Sequence, residues 1–195
     1  MKQEERVRTH FENTIATQTR ARDVLSAPVA EAARRLAATL EAGGRILVCG
    51  NGGSASDAQH FAAEFTNRFE RERPPLAAIA LTTDTSALTA IGNDYSFDQV
   101  FSKQVEALAR PGDAFVGIST SGGSRNVCVA IEAAHKAGAW VLALSGRDGG
   151  AMAKLLEDTD MELRVPAERT AHIQEVHIVL LHCLCDLVDE QLYPQ

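Results

Sequence analysis

The sequence predicts an α/β fold, a three-layer sandwich around a central five-stranded parallel sheet. Five short apolar runs stand at Arg45–Cys49, Ala77–Leu81, Ala114–Ile118, Trp140–Leu144 and Met161–Val165. Helical stretches separate them: Ala55–Phe69, Thr85–Ala90 with Gln99–Ala109, Arg125–Ala137, and Ala151–Leu156. Strands that alternate with helices imply a parallel sheet covered on both faces. The length of 195 residues is one domain's worth, and no linker, repeat or low-complexity tract divides it. Residues 1–195 therefore read as a single domain.

The N-terminal segment, residues 1–43, reads as two extra helices. Val7, Phe11 and Ile15 recur every four residues, which is one face of a helix. Pro28 opens a second helix from Val29 to Leu40, which Gly43-Gly44 ends. So little chain remains to cover these helices that they pack either on their own domain or on a partner subunit. The last helix, Thr170 to Leu192, is apolar nearly all round: Ile173, Val176, Ile178, Val179, Leu180, Leu181, Leu184, Leu187 and Val188. Such a helix is buried. It also carries His172, Gln174, His177, His182 and Asp186, and buried polar groups need partners.

The net charge of −7 excludes a general nucleic-acid or anionic-membrane binder, since those need a basic surface. No stretch reaches the roughly 20 apolar residues of a membrane span. The charged segment Met1–Arg22 has no apolar h-region of a signal peptide. Cys49, Cys128, Cys183 and Cys185 form no C-x-x-C pair, so reduced thiols and a cytoplasmic location are expected.

Two strand-end loops carry the binding chemistry. The first reads Gly50-Asn51-Gly52-Gly53-Ser54. Its glycines allow a tight turn and close approach of a ligand. Ser54 with Asp57 three later matches a capping box, which would leave free N–H groups beyond the strand. The segment also fits G-x-G-x-x-A, but the acid expected about 20 residues on is misplaced. Glu70 and Glu72 precede the second strand, and Asp84 follows it. A dinucleotide is therefore disfavoured. The second loop reads Ser119-Thr120-Ser121-Gly122-Gly123-Ser124 before a helix. Four hydroxyls at a helix N-terminus make a cradle for a phosphate. No P-loop lysine accompanies them, so a nucleoside triphosphate is not implied.

His60 and Glu64 are four apart, on one helix face below the first loop. The spacing fits a shared metal ion, an acid–base pair or a solvated contact. Gln174 and His182 lie about 80° apart on the last helix, two turns from each other.

Six segments together carry a resemblance. They are Gly-Asn-Gly-Gly-Ser (50–54), Asp-Ala-Gln-His-Phe-Ala-Ala-Glu (57–64), Ala-Ile-Gly-Asn-Asp-Tyr (90–95), Ser-Thr-Ser-Gly-Gly-Ser (119–124), Gly-Arg-Asp-Gly-Gly (146–150) and Ile-Gln-Glu-Val-His (173–177). The chain resembles the sugar isomerase (SIS) family of phosphosugar-binding domains, in its phosphoheptose isomerase branch. That resemblance implies a flavodoxin-like sheet and a homotetramer. It implies conversion of sedoheptulose 7-phosphate to D-glycero-D-manno-heptose 7-phosphate through an enediol, for lipopolysaccharide heptose. It implies that Asn51, Gly52, Gly53, Ser54, Asn93, Asp94 and Gln174 line the substrate, and that Ser119, Thr120, Ser121 and Ser124 hold its phosphate. Glu64 would be the base and His182 its acid partner. His60, Glu64, Gln174 and His182 would also be ligands of a zinc ion.

There are departures and rivals. Family members often carry Arg before the Ile-Gln-Glu segment; here Ala171-His172 stands there. A non-catalytic SIS paralogue that binds the replication initiator DnaA is similar at Arg68–Pro74 and at Cys183–Leu187. It lacks the acid and the imidazole found here at Glu64 and His182. A phosphosugar sensor on the same scaffold is the third reading.

Overall fold

The computed structural model describes residues 2–194. In chain order the elements are α1 (Gln3–Glu41), β1 (Ile46–Gly50), α2 (Gly53–Thr66), β2 (Ala78–Ala80) and α3 (Thr85–Asp94). Then follow α4 (Ser102–Leu108), β3 (Ala114–Ile118), α5 (Arg125–Ala137), β4 (Trp140–Gly146), β5 (Met161–Val165) and α6 (Thr170–Leu192). All strand pairs are parallel, in the order β2-β1-β3-β4-β5.

Side-chain alternation along the strands makes the three layers. Ile46 and Val48 face a core shared with α1, α2 and α6. Their neighbours Leu47 and Cys49 face a second core, shared with α4 and α5. The same switch holds on β4, where Leu142 and Leu144 face the first core and Val141 and Ala143 the second. The central strands β1, β3 and β4 are buried on both sides and read as continuous apolar runs, whereas the edge strands β2 and β5 each expose a residue, Ile79 and Arg164.

The N-terminal region corrects the expectation of two helices. It forms one helix of 39 residues with Pro28 inside it. Proline has no N–H, so the carbonyl of Val24 loses its helical bond. Val24 lies on the exposed side, where water can satisfy that carbonyl. Leu25, Val29, Ala32 and Leu36 meanwhile share a buried stripe against α6. Tertiary packing outweighs the local break. The helix expected at Ala151–Leu156 shrinks to a 3-10 turn at Met152–Lys154.

α6 needs two corrections. By length and composition it is apolar enough to cross a membrane, with a mean hydropathy of 1.3 over its best 18-residue window. Here it packs instead along α1, α2 and the sheet. Nor is it buried all round: Val179 and Cys183 stay exposed, while Ile173, Leu181 and Leu184 are in the core.

His177 is the polar group that α6 buries most completely. Its Nε2–H donates to Ser145 O at 2.9 Å, and Nδ1 has no partner among the described residues. Burial pushes its pKa down to about 4, and the bond to Ser145 offsets this only in part. An unfolded histidine titrates near 6.5, so between those values the unfolded chain holds one proton more. The stability this neutral histidine contributes is present above pH ~6.5 and is lost as pH falls towards 4. Going from pH 7 to pH 5 should cost about 2 kcal/mol through this group. Urea unfolding at fixed protein concentration should show that increment in the unchanged chain and its loss in His177→Gln. An equal pH response in both would exclude His177 as its source.

Candidate active site

The strand order places the site. From β1 the chain crosses to β2 on one side, and from β3 it crosses to β4 on the other. In parallel sheets, ligands bind at that reversal, beyond the strands' carboxyl ends. Asn51, just after β1, and Asn126, in the first turn of α5 after β3, join their amides across it. Each donates its Nδ2 to the other's Oδ1 at 2.8 Å. The two loops singled out in the sequence are therefore neighbours.

The first loop differs from the expected capping box. The N-cap of α2 is Gly52, at φ 56°, and no side chain caps the helix. Ser54 lies inside the first turn and is buried. The N–H groups of Ser54, Ala55 and Ser56 turn back onto the carbonyls of Asn51 and Gly52. Asp57, the other half of the expected box, accepts instead from Gln174 Nε2 at 3.2 Å. Burial raises the Asp57 pKa, and the bond from Gln174 and the nearby His60 partly oppose this. Gln174 also explains Gly53: a Cβ there would stand 2.1 Å from its Nε2 atom.

The second loop keeps its hydroxyls together. Ser119 Oγ and Ser124 Oγ are 2.8 Å apart, and Ser121 Oγ accepts from Gly123 N at 3.2 Å. Ser124 is the N-cap of α5 but makes no side-chain cap bond; Val127 N turns back onto Ser124 O, which leaves the N–H groups of Arg125 and Asn126 open to an anion. Thr120 is half-buried in the same turn. Gly122 takes φ 63°, and a Cβ on it would lie 2.0 Å from Gly149 O, so no side chain fits. The Gly146–Gly150 loop thus backs the hydroxyl loop. In it Arg147 adopts φ 55°, the left-handed region that side-chain-bearing residues rarely take.

The third group sits where α6 crosses α2. His60 Nε2 is 3.0 Å from Glu64 Oε1 and 3.3 Å from His182 Nε2. The two imidazole rings are 5.2 Å apart, and Phe69 packs on His182 with ring centres 5.5 Å apart. Helix spacing made the first contact, and only the tertiary fold makes the second. Asn93 and Asp94 stand apart. They are exposed at the end of α3, and Asn93 Nδ2 donates to Asp94 Oδ1 at 2.8 Å. Among the described residues no hydrogen bond joins them to the other groups.

A buried arginine holds α2 against α6. Arg73 Nε donates to Asp189 Oδ1 at 2.8 Å, and their side chains are only 1% and 2% exposed. The same guanidinium donates to Phe65 O and Glu64 O, each at 2.7 Å. It therefore caps the carbonyl end of α2 beside Glu64 and ties it to the helix that carries His182. Sequence reading missed Arg73, as it missed Asn126 and the true partner of Asp57.

Comparison with known proteins gives the family. The SIS domain family matches residues 9–146. The phosphoheptose isomerase of Methylibium petroleiphilum is 56% identical over 189 residues, 97% of this chain and 94% of that protein. The chain belongs to the SIS family, among its phosphoheptose isomerases. The phosphoheptose isomerase of Neisseria meningitidis serogroup B is 60% identical over 189 residues, 97% of this chain and 96% of its own. The solved phosphoheptose isomerase from Neisseria gonorrhoeae superposes with a TM-score of 0.93 at 56% identity, covering 97% of this chain and all (100%) of that one. That from Francisella tularensis gives 0.95 at 45% identity, with the same coverage. The structural match to these two isomerases thus extends past the residues that the family model covers.

Proposed function

We infer that this chain isomerises sedoheptulose 7-phosphate to D-glycero-D-manno-heptose 7-phosphate, for heptose biosynthesis. The observation that carries this is the meeting of Glu64, His60 and His182 across α2 and α6, beside two strand-end loops suited to a phosphosugar. Ser119, Thr120, Ser121 and Ser124 hold the phosphate at the start of α5. Asn51, Gly52, Gly53, Ser54 and Gln174 border the sugar chain, with Asn93 and Asp94 reaching it from α3. Glu64 removes the proton from C1 while His182 protonates the C2 oxygen, which gives the enediol. Glu64 then returns its proton to C2 as His182 accepts the proton from the C1 hydroxyl. The cycle leaves both side chains as they began. A carboxylate and an imidazole suit these two transfers.

Of zinc's four proposed ligands, His60 stands at a suitable spacing from two, Glu64 and His182. Around a tetrahedral ion with bonds of about 2.0–2.1 Å, ligand atoms lie about 3.3 Å apart. His60 Nε2 meets that spacing to both Glu64 Oε1 and His182 Nε2, at 3.0 and 3.3 Å. Gln174 is engaged with Asp57 and would have to turn away to join them. A bound zinc would act as a Lewis acid on the substrate's oxygen.

The quaternary reading is a homotetramer in a cytoplasmic setting. Its support is the exposed apolar set Val7, Phe11, Ile15 and Val24 on α1, with Val179 on α6. Part of it borders an apolar hollow between α1 and α6. Residues 1–43, of which Gln3–Glu41 form α1, would supply much of the interface.

Incubation with sedoheptulose 7-phosphate, before and after removal of metal with a chelator, tests the reaction directly. An aldose heptose phosphate should accumulate. Binding of the ketose, seen as a rise in Tm, without any turnover in metal-loaded protein would overturn the assignment.

A further inference from the structure

A second group of metal-ligating side chains lies away from Glu64 and His182. His10 stands in the early turns of α1, and His172 and Glu175 in the first turns of α6. One ligand atom from each lies within 4.8 Å of the other two. His10 Nε2 is 3.3 Å from Glu175 Oε1, and the His10 and His172 rings are 5.3 Å apart with a 56° tilt. His172 is 7% exposed, and its buried Nε2 has no hydrogen-bond partner among the described residues. A buried polar atom left without a partner is costly, so this nitrogen calls for a ligand.

The surroundings are arranged as an outer shell would be. Thr14 Oγ1 donates to Glu175 Oε2 at 2.7 Å, which orients the carboxylate and leaves Oε1 towards His10. Asn13 borders the hollows on either side of the cluster, next to His10 in one and His172 in the other. Its amide can anchor a water on an ion held there. Glu175 and His182 are seven positions apart and share one face of α6, so about two turns, roughly 10 Å along the helix, separate this cluster from His182.

We propose that His10, His172 and Glu175 form a second binding site, for a divalent transition metal, with Zn2+ as its best match. Two imidazoles and one carboxylate are a donor set that zinc accepts readily, leaving a fourth position for water. The bound ion satisfies His172 Nε2 and clamps the early turns of α1 to α6. The site does not depend on the reaction assigned to the active site, nor on metal there.

Zinc content per chain tests this. Protein stripped by a chelator is dialysed against Zn2+ and the bound metal counted. His10→Ala should hold one ion fewer than the unchanged chain, whatever number the active site adds. His10 is partly exposed, so that variant keeps its fold, and a circular dichroism spectrum verifies this. The double variant His60→Ala/His182→Ala should retain one ion, and with Co2+ it should show visible d–d bands that vanish when His10→Ala is added. Zn2+ should also raise the Tm of the double variant and slow proteolysis of its first 16 residues, with neither effect once His10 is replaced. Equal zinc content in the unchanged chain and His10→Ala would overturn the proposal. So would a double variant that is folded and takes up no metal.

Discussion

Replacing Glu64 with glutamine should lower kcat by about 10²–10⁴-fold, the range that a positioned general base contributes. Glutamine keeps the size of the side chain and can still contact His60, so substrate binding should change little and KM should stay close to its starting value. The side chain lies at the rim of the core, 21% exposed, which makes a large loss of stability unexpected. A second readout isolates the step: exchange of the substrate's C1 hydrogen with solvent deuterium, followed by NMR, should stop with turnover. Retained exchange at the starting rate would move the base elsewhere, and His60 would be the next group to examine.

Replacing Arg73 with leucine should cost about 3–5 kcal/mol, because it leaves the Asp189 carboxylate buried without its partner. The loss also strips the carbonyls of Glu64 and Phe65 of a charged donor. Urea unfolding should report the destabilisation as a lower midpoint with a similar slope. The double replacement Arg73→Leu/Asp189→Leu should recover much of it, since a buried pair exchanged for apolar groups is often close to neutral. Additive losses in the double variant would mean that the two side chains act independently. A fall in kcat under conditions where Arg73→Leu is still folded would show that the clamp also sets the position of Glu64 against His182.

How much of this was legible depended on how local each cause is. α5 was read to its last residue, because its C-terminus is set by Gly138 at φ 77°, next to the final apolar position. β3 and β5 were read to the residue because both are bounded by polar turns. α1 was misread because Pro28 is a local signal, whereas the stripe that overrides it touches α6, some 150 positions away. The contact of His60 with Glu64 follows from i,i+4 spacing and was visible. The pairs that complete the site were not, because Asn51–Asn126 spans 75 positions, Asp57–Gln174 spans 117 and Arg73–Asp189 spans 116. No periodicity encodes such distant partners. Their residue types gave a partial signal: Arg73 lay in a charged run and Asp189 at the end of an apolar helix, each out of place until seen together.

The packing of α1 on α6 has a further consequence, in time rather than in space. Leu25, Val29 and Leu36 are shielded by a helix made only after the whole sheet has been synthesised. At about 5–20 residues per second, the ribosome takes roughly 6–25 s to travel from Glu41 to Thr170. For that interval the nascent chain carries a helix-forming stripe of alanines and leucines without the helix that covers most of it. The growing protein must therefore pass through a stage in which its first segment is its stickiest. Early events there, whether capture by a chaperone or contact with a neighbouring nascent chain, act before any active site exists.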